Sequence, residues 1–533
     1  MRILLAYKSN AGPASGPYTS LLPIGLGYIN ACLREKGFNS RIANLSRMGW
    51  KGIEALLKAE KPDILGVSQF THNRLETLRL AALAKRVNPG CFVVFGGPHA
   101  THRFRELLGR EPSVDAVIMG EGEETFLELV ESLTAGNKSI DMIRGIALRC
   151  GGEGELTLPR GRIADLDSLP VPAMYFDDAI GVDLHSQLEF IITSRGCPSS
   201  CRFCASPRFW GKSVRFRSPR SIVDEIRFIR DRYGLLYFSI RDDTFTFDRE
   251  RVVEFCRLLI REKLHILWNC QSRVNAVDEE MLVWMKRAGC ECIQFGVESG
   301  STGILRVLAK QITPDQVRHA ASATRKAGIN LSVYLITGVP GETKEDLKAT
   351  IRLIEDIKAS EGQVSPLAYY PGTELFESGV AGGVVRKDLF EVEKGEAFYA
   401  REDPSVAAET GLILKKLAKV AERYRYRAKD FLSQKKKLGY CHATNALAGQ
   451  YYENEGRWRS AEEEYMEIVS QEPGNPWGWL LLGDLYSMTG YPHKAYRCYD
   501  RLKNLVPNYP LPEKWTLDDH GKGSREQKKR RTV

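Results

Sequence analysis

Cys197-Pro198-Ser199-Ser200-Cys201-Arg202-Phe203-Cys204 sets three cysteines on one short segment, directly after the apolar run Phe190-Ile191-Ile192-Thr193. Three soft thiolates at this spacing suit zinc or an iron-sulfur cluster. A closed zinc site takes a fourth protein ligand, and no Cys or His occurs in the fifteen residues after Cys204. A cubane held by three cysteines keeps one iron open instead. The residues alone leave both metals standing and name Cys197, Cys201 and Cys204 as the ligands.

Around this segment the chain alternates strands and helices. Phe190–Thr193, Leu236–Ile240, Ile266–Asn269, Cys292–Val297, Leu331–Ile336 and residues 363–370 read as strands separated by helical patterns. Six such units predict a (β/α)6 partial barrel, a fold in which chemistry gathers on loops at the carboxyl ends of the strands. The cysteines follow the first of these strands. Residues 1–135 show a second alternation, with short apolar strands at Arg2–Tyr7, Asp63–Ser68, Cys91–Phe95 and Val114–Met119. They predict a doubly wound, Rossmann-like sheet that binds its ligand beyond the strand ends. Those ends carry Ser68-Gln69, Gly96-Gly97 and Gly120-Glu121-Gly122.

The cysteine segment resembles the C-x3-C-x2-C signature of the radical S-adenosylmethionine (SAM) superfamily, including the aromatic Phe203 before the last cysteine. Gly296-Val297-Glu298-Ser299-Gly300-Ser301, Gly338-Val339-Pro340-Gly341-Glu342-Thr343 and Pro371-Gly372-Thr373 extend the resemblance along the core. It implies a [4Fe-4S] cluster whose open iron chelates SAM, and one-electron cleavage of SAM to a 5′-deoxyadenosyl radical. Asp242-Asp243 stand where relatives often carry G-G-E for the SAM amine, a departure that could pass this contact to backbone carbonyls. Arg273 and Glu298-Ser299 are then expected at the carboxylate and ribose.

Residues 1–135 are similar to the cobalamin-binding domain that precedes many radical SAM cores, with Leu22-Pro23-Ile24-Gly25-Leu26-Gly27-Tyr28 opening the first helix. Ser68, Gln69, Gly96, Gly97, Gly120, Glu121 and Gly122 are its implied cobalamin contacts. The D-x-H-x-x-G motif that supplies a histidine below cobalt in other cobalamin domains is missing, and the first histidine is His72. The resemblance thus implies cobalamin without lower histidine ligation, with His72 and His99 as secondary candidates near the ligand edge.

A repeat closes the chain. Gly449, Tyr452, Gly456, Ala461, Tyr465 and Pro473 recur thirty-four residues later as Gly483, Tyr486, Gly490, Ala495, Tyr499 and Pro507, the pattern of tetratricopeptide (TPR) repeats. Two repeats bury little surface alone, so the helical stretch from Gly411 to Phe431 is expected to cap them. The expected organisation is a cobalamin-binding domain at 1–135 and a linker with a small hairpin at 136–185. A radical SAM core follows at 186–400, a helical linker or cap at 401–440, two TPR repeats at 441–509 and a basic flexible tail at 510–533.

Composition excludes several classes. The chain has 533 residues, 43% of them hydrophobic and 27% charged, which is ordinary for a globular protein. No eighteen-residue apolar run occurs, so no membrane span is expected. Residues 520–533 hold six Lys or Arg against one Glu, more than half of the net +9 charge, so charge gives no footing for a nucleic-acid partner. Nine further cysteines are scattered without ligand-like spacing, and Cys290 and Cys292 read as small buried apolar groups. Reduced thiols and a cytoplasmic location are expected.

The resemblance implies a cobalamin-dependent radical SAM enzyme, foremost a methyltransferase to an unactivated carbon. Such a carbon cannot attack a sulfonium directly, so one SAM charges cobalamin with methyl and a second yields the radical that abstracts hydrogen. The alternatives are a cyclase, ring-contraction or oxidation enzyme with the same cofactors, and, from another class, a TPR adaptor with a vestigial core. The partners are a small-molecule or peptide substrate, an electron donor such as flavodoxin or ferredoxin, and a protein held by the repeats.

Overall fold

The computed structural model describes residues 1–10, 20–136, 139–391, 397–512 and 515. The basic stretch 516–533 and most of the Gly-Pro-Ser loop before Ser20 lie outside the described residues. The first sheet comprises β1 (Arg2–Tyr7), β2 (Asn39–Asn44), β3 (Ile64–Ser68), β4 (Phe92–Gly96), β5 (Ala116–Ile118), β6 (Ile146–Cys150) and β7 (Glu153–Leu156). Its order is β2-β1-β3-β4-β5-β6-β7, with β1 to β5 parallel and the β6–β7 hairpin added antiparallel. Strand β2, absent from the sequence reading, is an edge strand of polar composition that buries only Ser40, Ile42 and Ala43.

The second sheet takes β8 (Phe190–Ile191), while the two-residue strands β9 (Ser194–Arg195) and β10 (Arg215–Phe216) form a separate antiparallel pair. It continues through β11 (Tyr237–Ile240), β12 (Leu267–Ser272), β13 (Cys290–Glu298), β14 (Asn330–Thr337) and β15 (Glu361–Pro366). These six lie in chain order and all neighbours are parallel. Local chemistry sets the helix boundaries. Pro219–Tyr233 starts on Ser218, whose side chain accepts from Ser221 N, and stops at Gly234 with φ 74°. Thr313 and Thr343 each form a capping box, with Gln316 and Asp346.

The two sheets share one core. Leu26, Leu33, Phe126 and Leu129, on helices Ile24–Glu35 and Glu123–Thr134, belong to the same buried cluster as Phe238, Trp268 and Ile293 of the second sheet. The segment 136–185 bridges them: a Cβ on Gly27 would meet Pro172 at 3.2 Å and Phe176 at 3.3 Å. Helices Trp50–Glu60, Arg74–Val87 and Pro98–Arg110 build a second cluster on the opposite face of the first sheet.

A buried ion cluster fixes how the sheets face. Arg195 of β9 donates to Glu121 at 2.8 Å and to Glu123 at 2.6 Å, and Arg215 of β10 donates to Glu121 at 2.7 Å. The Arg195 guanidinium also lies 5.0 Å from the Tyr28 ring centroid and 5.1 Å from that of Trp210. Burial works against the charge on Arg195, but Glu123 and Glu121 overcome it and raise its pKa. Burial likewise pushes Glu121 up, and its bonds to Arg215 and Arg195 bring it below the ordinary carboxylate value.

The carboxyl-terminal segment is helical. Helix Ser405–Tyr424 packs on β15, and helices Ala428–Leu438, His442–Asn454, Trp458–Gln471, Pro476–Thr489 and Pro492–Leu505 follow. A Cβ on Gly449 would strike the Tyr465 ring, and one on Gly483 the Tyr499 ring, so the sequence repeat is a repeated close crossing of paired helices. This segment packs at the amino ends of the second sheet, where Leu236 and Leu267 join its core and Cys441 Sγ meets Lys286 O at 3.4 Å.

Two outcomes follow for stability. Arg195→Met strands the Glu123 carboxylate in a buried site, at a cost of about 3–5 kcal/mol. The urea midpoint falls accordingly, and adding Glu123→Gln recovers part of the loss. Glu342 is half-buried and accepts from Gly338 N at 2.9 Å and Val339 N at 3.3 Å. Burial pushes its pKa up from 4.5 to about 7. The folded chain then keeps a proton that the unfolded chain has released, so this group's contribution is full below pH 4.5 and lost as pH rises through about 7. Glu342→Gln is therefore expected to gain stability relative to the parent between about pH 5 and about pH 8, read as the difference of their unfolding midpoints.

Candidate functional site

The cysteine loop is pinned on both sides by backbone bonds: Cys197 N donates to Gly211 O at 3.2 Å, Arg202 N to Leu308 O at 3.0 Å, and Leu375 N to Arg202 O at 2.8 Å. Phe203 packs with Ile304, Leu308, Ile336 and Leu367, which anchors the aromatic of the motif beside β14. Burial pushes the Cys204 thiol up to about 12, with Asp243, Cys201 and Cys197 adding repulsion. Three cysteines on one pinned loop, with the Cys204 thiol resisting ionisation unaided, are a donor set that a bound iron cation would compensate. The thiols fit a cluster.

Around them stand the polar residues at the other strand ends. Arg273, just beyond β12, donates through Nη1 to Cys201 Sγ at 3.6 Å and through Nη2 to Lys310 O at 2.7 Å. Lys310 Nζ in turn donates to Glu298 Oε1 at 2.7 Å. The second oxygen of Glu298, Oε2, is buried without a hydrogen-bond partner among the described residues. Glu298, Ala309 and Gln311 all hold positive φ, at 65°, 50° and 55°, a strain that persists where surrounding structure enforces it. A half-satisfied buried carboxylate beside the cysteine loop fits a ligand that brings hydroxyl donors.

The two aspartates divide. Asp242 accepts from Thr193 N at 2.6 Å, Ser194 N at 3.1 Å and Ser194 Oγ at 2.7 Å, so its carboxylate is spent on fastening the entry to the cysteine loop. Asp243 stays solvent-accessible and accepts from Ser206 Oγ on the segment after Cys204, and desolvation by the surrounding protein pushes its pKa up to about 6. Ser299 is buried and bonded to Thr350 Oγ1 at 3.1 Å and to Ser301 N at 3.1 Å.

A second element of the site lies at the carboxyl edge of the first sheet. Ser68, Gly96, Gly97, Gly120, Glu121 and Gly122 line one cavity. Its apolar wall includes Leu26, Ile29, Val94 and Phe126, and its far side is Phe209 and Trp210, which follow the cysteine loop. Gly97 has φ 92°, and a Cβ there would lie 2.8 Å from Gln69 O, so only glycine fits at this edge of the cavity. The glycine-lined mouth and apolar wall fit a bulky ring ligand.

Gln69 is turned elsewhere: its amide donates to Thr77 Oγ1 at 3.0 Å, and it borders a separate depression with His99. Neither histidine candidate lines the cavity. His72 Nε2 meets Tyr7 OH at 3.0 Å, and His99 Nδ1 meets Thr71 Oγ1 at 3.1 Å. Burial lowers both, His99 to about 3. Sequence reasoning missed Arg195, Trp210 and Lys310; the position of Arg195 two residues before Cys197 was its one local signal.

Two family models match the chain, the B12 binding domain over residues 17–130 and the radical SAM superfamily over residues 191–354. An uncharacterised methyltransferase of Pyrococcus horikoshii is 34% identical over 369 residues, covering 68% of this chain and 79% of the relative. The anaerobic magnesium-protoporphyrin IX monomethyl ester cyclase of Rubrivivax gelatinosus is 27% identical, covering 71% and 70%. In fold, the chain is similar to the radical SAM methyltransferase TsrM of Kitasatospora setae, solved with cobalamin and a [4Fe-4S] cluster, at a TM-score of 0.64 and 17% identity over 88% of this chain and 100% of that one. A three-thiol loop beside a B12-type sheet edge, with kinship on this scale, makes the chain a member of the radical SAM superfamily in its cobalamin-binding branch.

Proposed function

We propose that this protein is a cobalamin-dependent radical SAM methyltransferase that alkylates an unactivated carbon. The observation that carries the reading is the shared wall: Phe209 and Trp210, on the segment leaving the cysteine loop, also bound the cavity at the carboxyl edge of the first sheet. The cluster with SAM supplies a one-electron route to a 5′-deoxyadenosyl radical, and cobalamin supplies a methyl group to a carbon radical.

The chain's own residues hold and shield these groups. Cys197, Cys201 and Cys204 would hold the cluster, and the Arg273 N–H on Cys201 Sγ would stabilise sulfur charge. Glu298 Oε2 accepts from the ribose hydroxyls, with Ser299 fixing its backbone. Arg273 provides positive charge for the SAM carboxylate, and Asp243, rather than the fully engaged Asp242, faces its amine. Ser68, Gly96, Gly97, Gly120 and Gly122 let the corrin approach the sheet edge. Glu121 holds the joint, and neither His72 nor His99 lines the cavity that would hold the corrin.

In this reading the first unit is a Rossmann-like cobalamin-binding domain, the second sheet a (β/α)6 partial barrel, and the last four helices two TPR hairpins that brace its base. Among the described residues no helix is long and apolar enough to cross a membrane. All twelve cysteines are free, which fits the reducing cytoplasm, where flavodoxin or ferredoxin would donate the electron. Kinship to the cyclase favours one alternative, radical chemistry with the same cofactors and no methyl transfer.

Three measurements test the proposal on anaerobically reconstituted protein. Cys201→Ala is expected to lose most bound iron, the cluster's visible absorbance and 5′-deoxyadenosine formation. Glu298→Gln keeps the iron and raises the KM for SAM by about tenfold, equivalent to about 1.4 kcal/mol. With methyl-deuterated SAM, label appears in a product carbon; 5′-deoxyadenosine without label transfer refutes methyl transfer in favour of the cyclase-type reaction.

A further inference from the structure

The face of the second sheet turned away from its helices is polar. Parallel strands covered on both sides normally read as continuous apolar runs, and closed barrels fill their interior with branched aliphatic side chains. Here the helix-facing positions obey that rule, with Phe238, Trp268, Ile293, Phe295, Leu331 and Val333 in the core. The alternate positions do not. Asn269 Nδ2 donates to Tyr237 OH at 2.7 Å, and Ser239 Oγ donates to Asn269 Oδ1 at 2.7 Å. Gln271 Nε2 donates to Gln294 Oε1 at 3.1 Å, and Gln294 Nε2 to Ser332 Oγ at 3.4 Å. Four consecutive strands, β11 to β14, thus carry hydroxyls and carboxamides into one cavity of about 490 Å³, to which β15 adds Gln363.

This space has the size of a small-molecule site and a balanced charge. Two carboxylates, Glu291 and Glu361, share its lining with two guanidinium groups, Arg241 and Arg425. Glu291 is already bonded to Tyr237 OH at 2.7 Å and Asn330 Nδ2 at 3.4 Å. The carboxyl-terminal helices form the side wall through Tyr426, Leu447 and Gln450. Above Gln294 on the same face the Lys310–Glu298 pair roofs the cavity: a Cβ on Gly296 would lie 2.7 Å from Lys310 Nζ and 2.8 Å from Glu298 Oε1. Arg241, at the cavity's upper rim, directly precedes Asp242 and Asp243.

We infer that this cavity holds the non-reacting part of the substrate, and that this part is an uncharged, hydroxyl- or amide-rich group of the sugar or nucleoside kind. The inference rests on the proposed reaction at the strand ends. A hydrocarbon or tetrapyrrole in this space would strip water from carboxamides and hydroxyls without replacing their bonds. A polyhydroxylated group exchanges those bonds one for one, and its binding holds the reacting carbon near Glu298 and the cysteine loop.

The test uses the full-length protein, reconstituted with cluster and cobalamin, and a cell extract split into water-soluble and chloroform-soluble halves. The readout is 5′-deoxyadenosine formed above the rate without extract, which reports substrate occupancy whatever the radical does next. The water-soluble half is expected to stimulate by fivefold or more, and Gln271→Leu with Gln294→Leu to cut that stimulation at least tenfold in protein whose cluster absorbance is intact. Gln294→Glu, nearly isosteric, serves as a second variant should the leucines disturb folding, and it too is expected to weaken the stimulation. Stimulation confined to the chloroform-soluble half overturns the inference, as does water-soluble stimulation that none of these variants alters. Failure of the proposed function reads differently: stimulation obeys the expectation while deuterated methyl never reaches a product.

Discussion

A single buried guanidinium governs the arrangement. Arg195 stands two residues before the first cysteine, between the rings of Tyr28 and Trp210, and reaches Glu121 and Glu123 on the segment that leaves β5. A charge in that position is tolerated only with its partners in place, because desolvation of an unpaired ion costs several kcal/mol. The carboxyl edge of one sheet is thereby held against the loop that follows the first strand of the other. Two ligand edges that could have faced separate solvents face one chamber.

That chamber divides into layers of different chemistry. Towards the first sheet it is apolar and open at glycines, suited to a large ring. At the strand ends of the second sheet it is ionic and strained, with Glu298, Lys310 and Arg273 linked in series to Cys201. Lower on the same strands lies a separate hydrogen-bonding cavity, in which two carboxylates are balanced by two guanidinium groups. In the proposed function these layers would serve in turn as a close approach to a carrier, a polarised grip on SAM and a remote handle that orients the carbon to be attacked.

The carboxyl-terminal helices gain a structural role from this layout. Their repeated glycine-tyrosine crossings stack them closely, and their contacts with Leu236, Leu267 and Lys286 seat them at the base of the second sheet. Residues from them also wall the polar cavity, so the helical segment bears on the site as well as on stability.

The linear pattern of residues determined the three-cysteine segment, the two strand-helix alternations and the glycine edge, because each is a local rule: cysteine spacing, short apolar runs and positive φ act within a few residues. Edge strand β2 escaped that reading, since a strand that buries one face partially carries no apolar run. Tertiary structure alone separated Asp242 from Asp243, adjacent residues of the same type, by giving one of them Thr193 and Ser194 as partners. It likewise turned Gln69 to Thr77 while Ser68 stayed at the cavity. Only the folded chain could bring Arg195 to Glu121 and Glu123, more than seventy residues apart in sequence. Spacing encodes which groups are chemically able; long-range packing, which sets burial and the partners left over, decides which of them remain free to act.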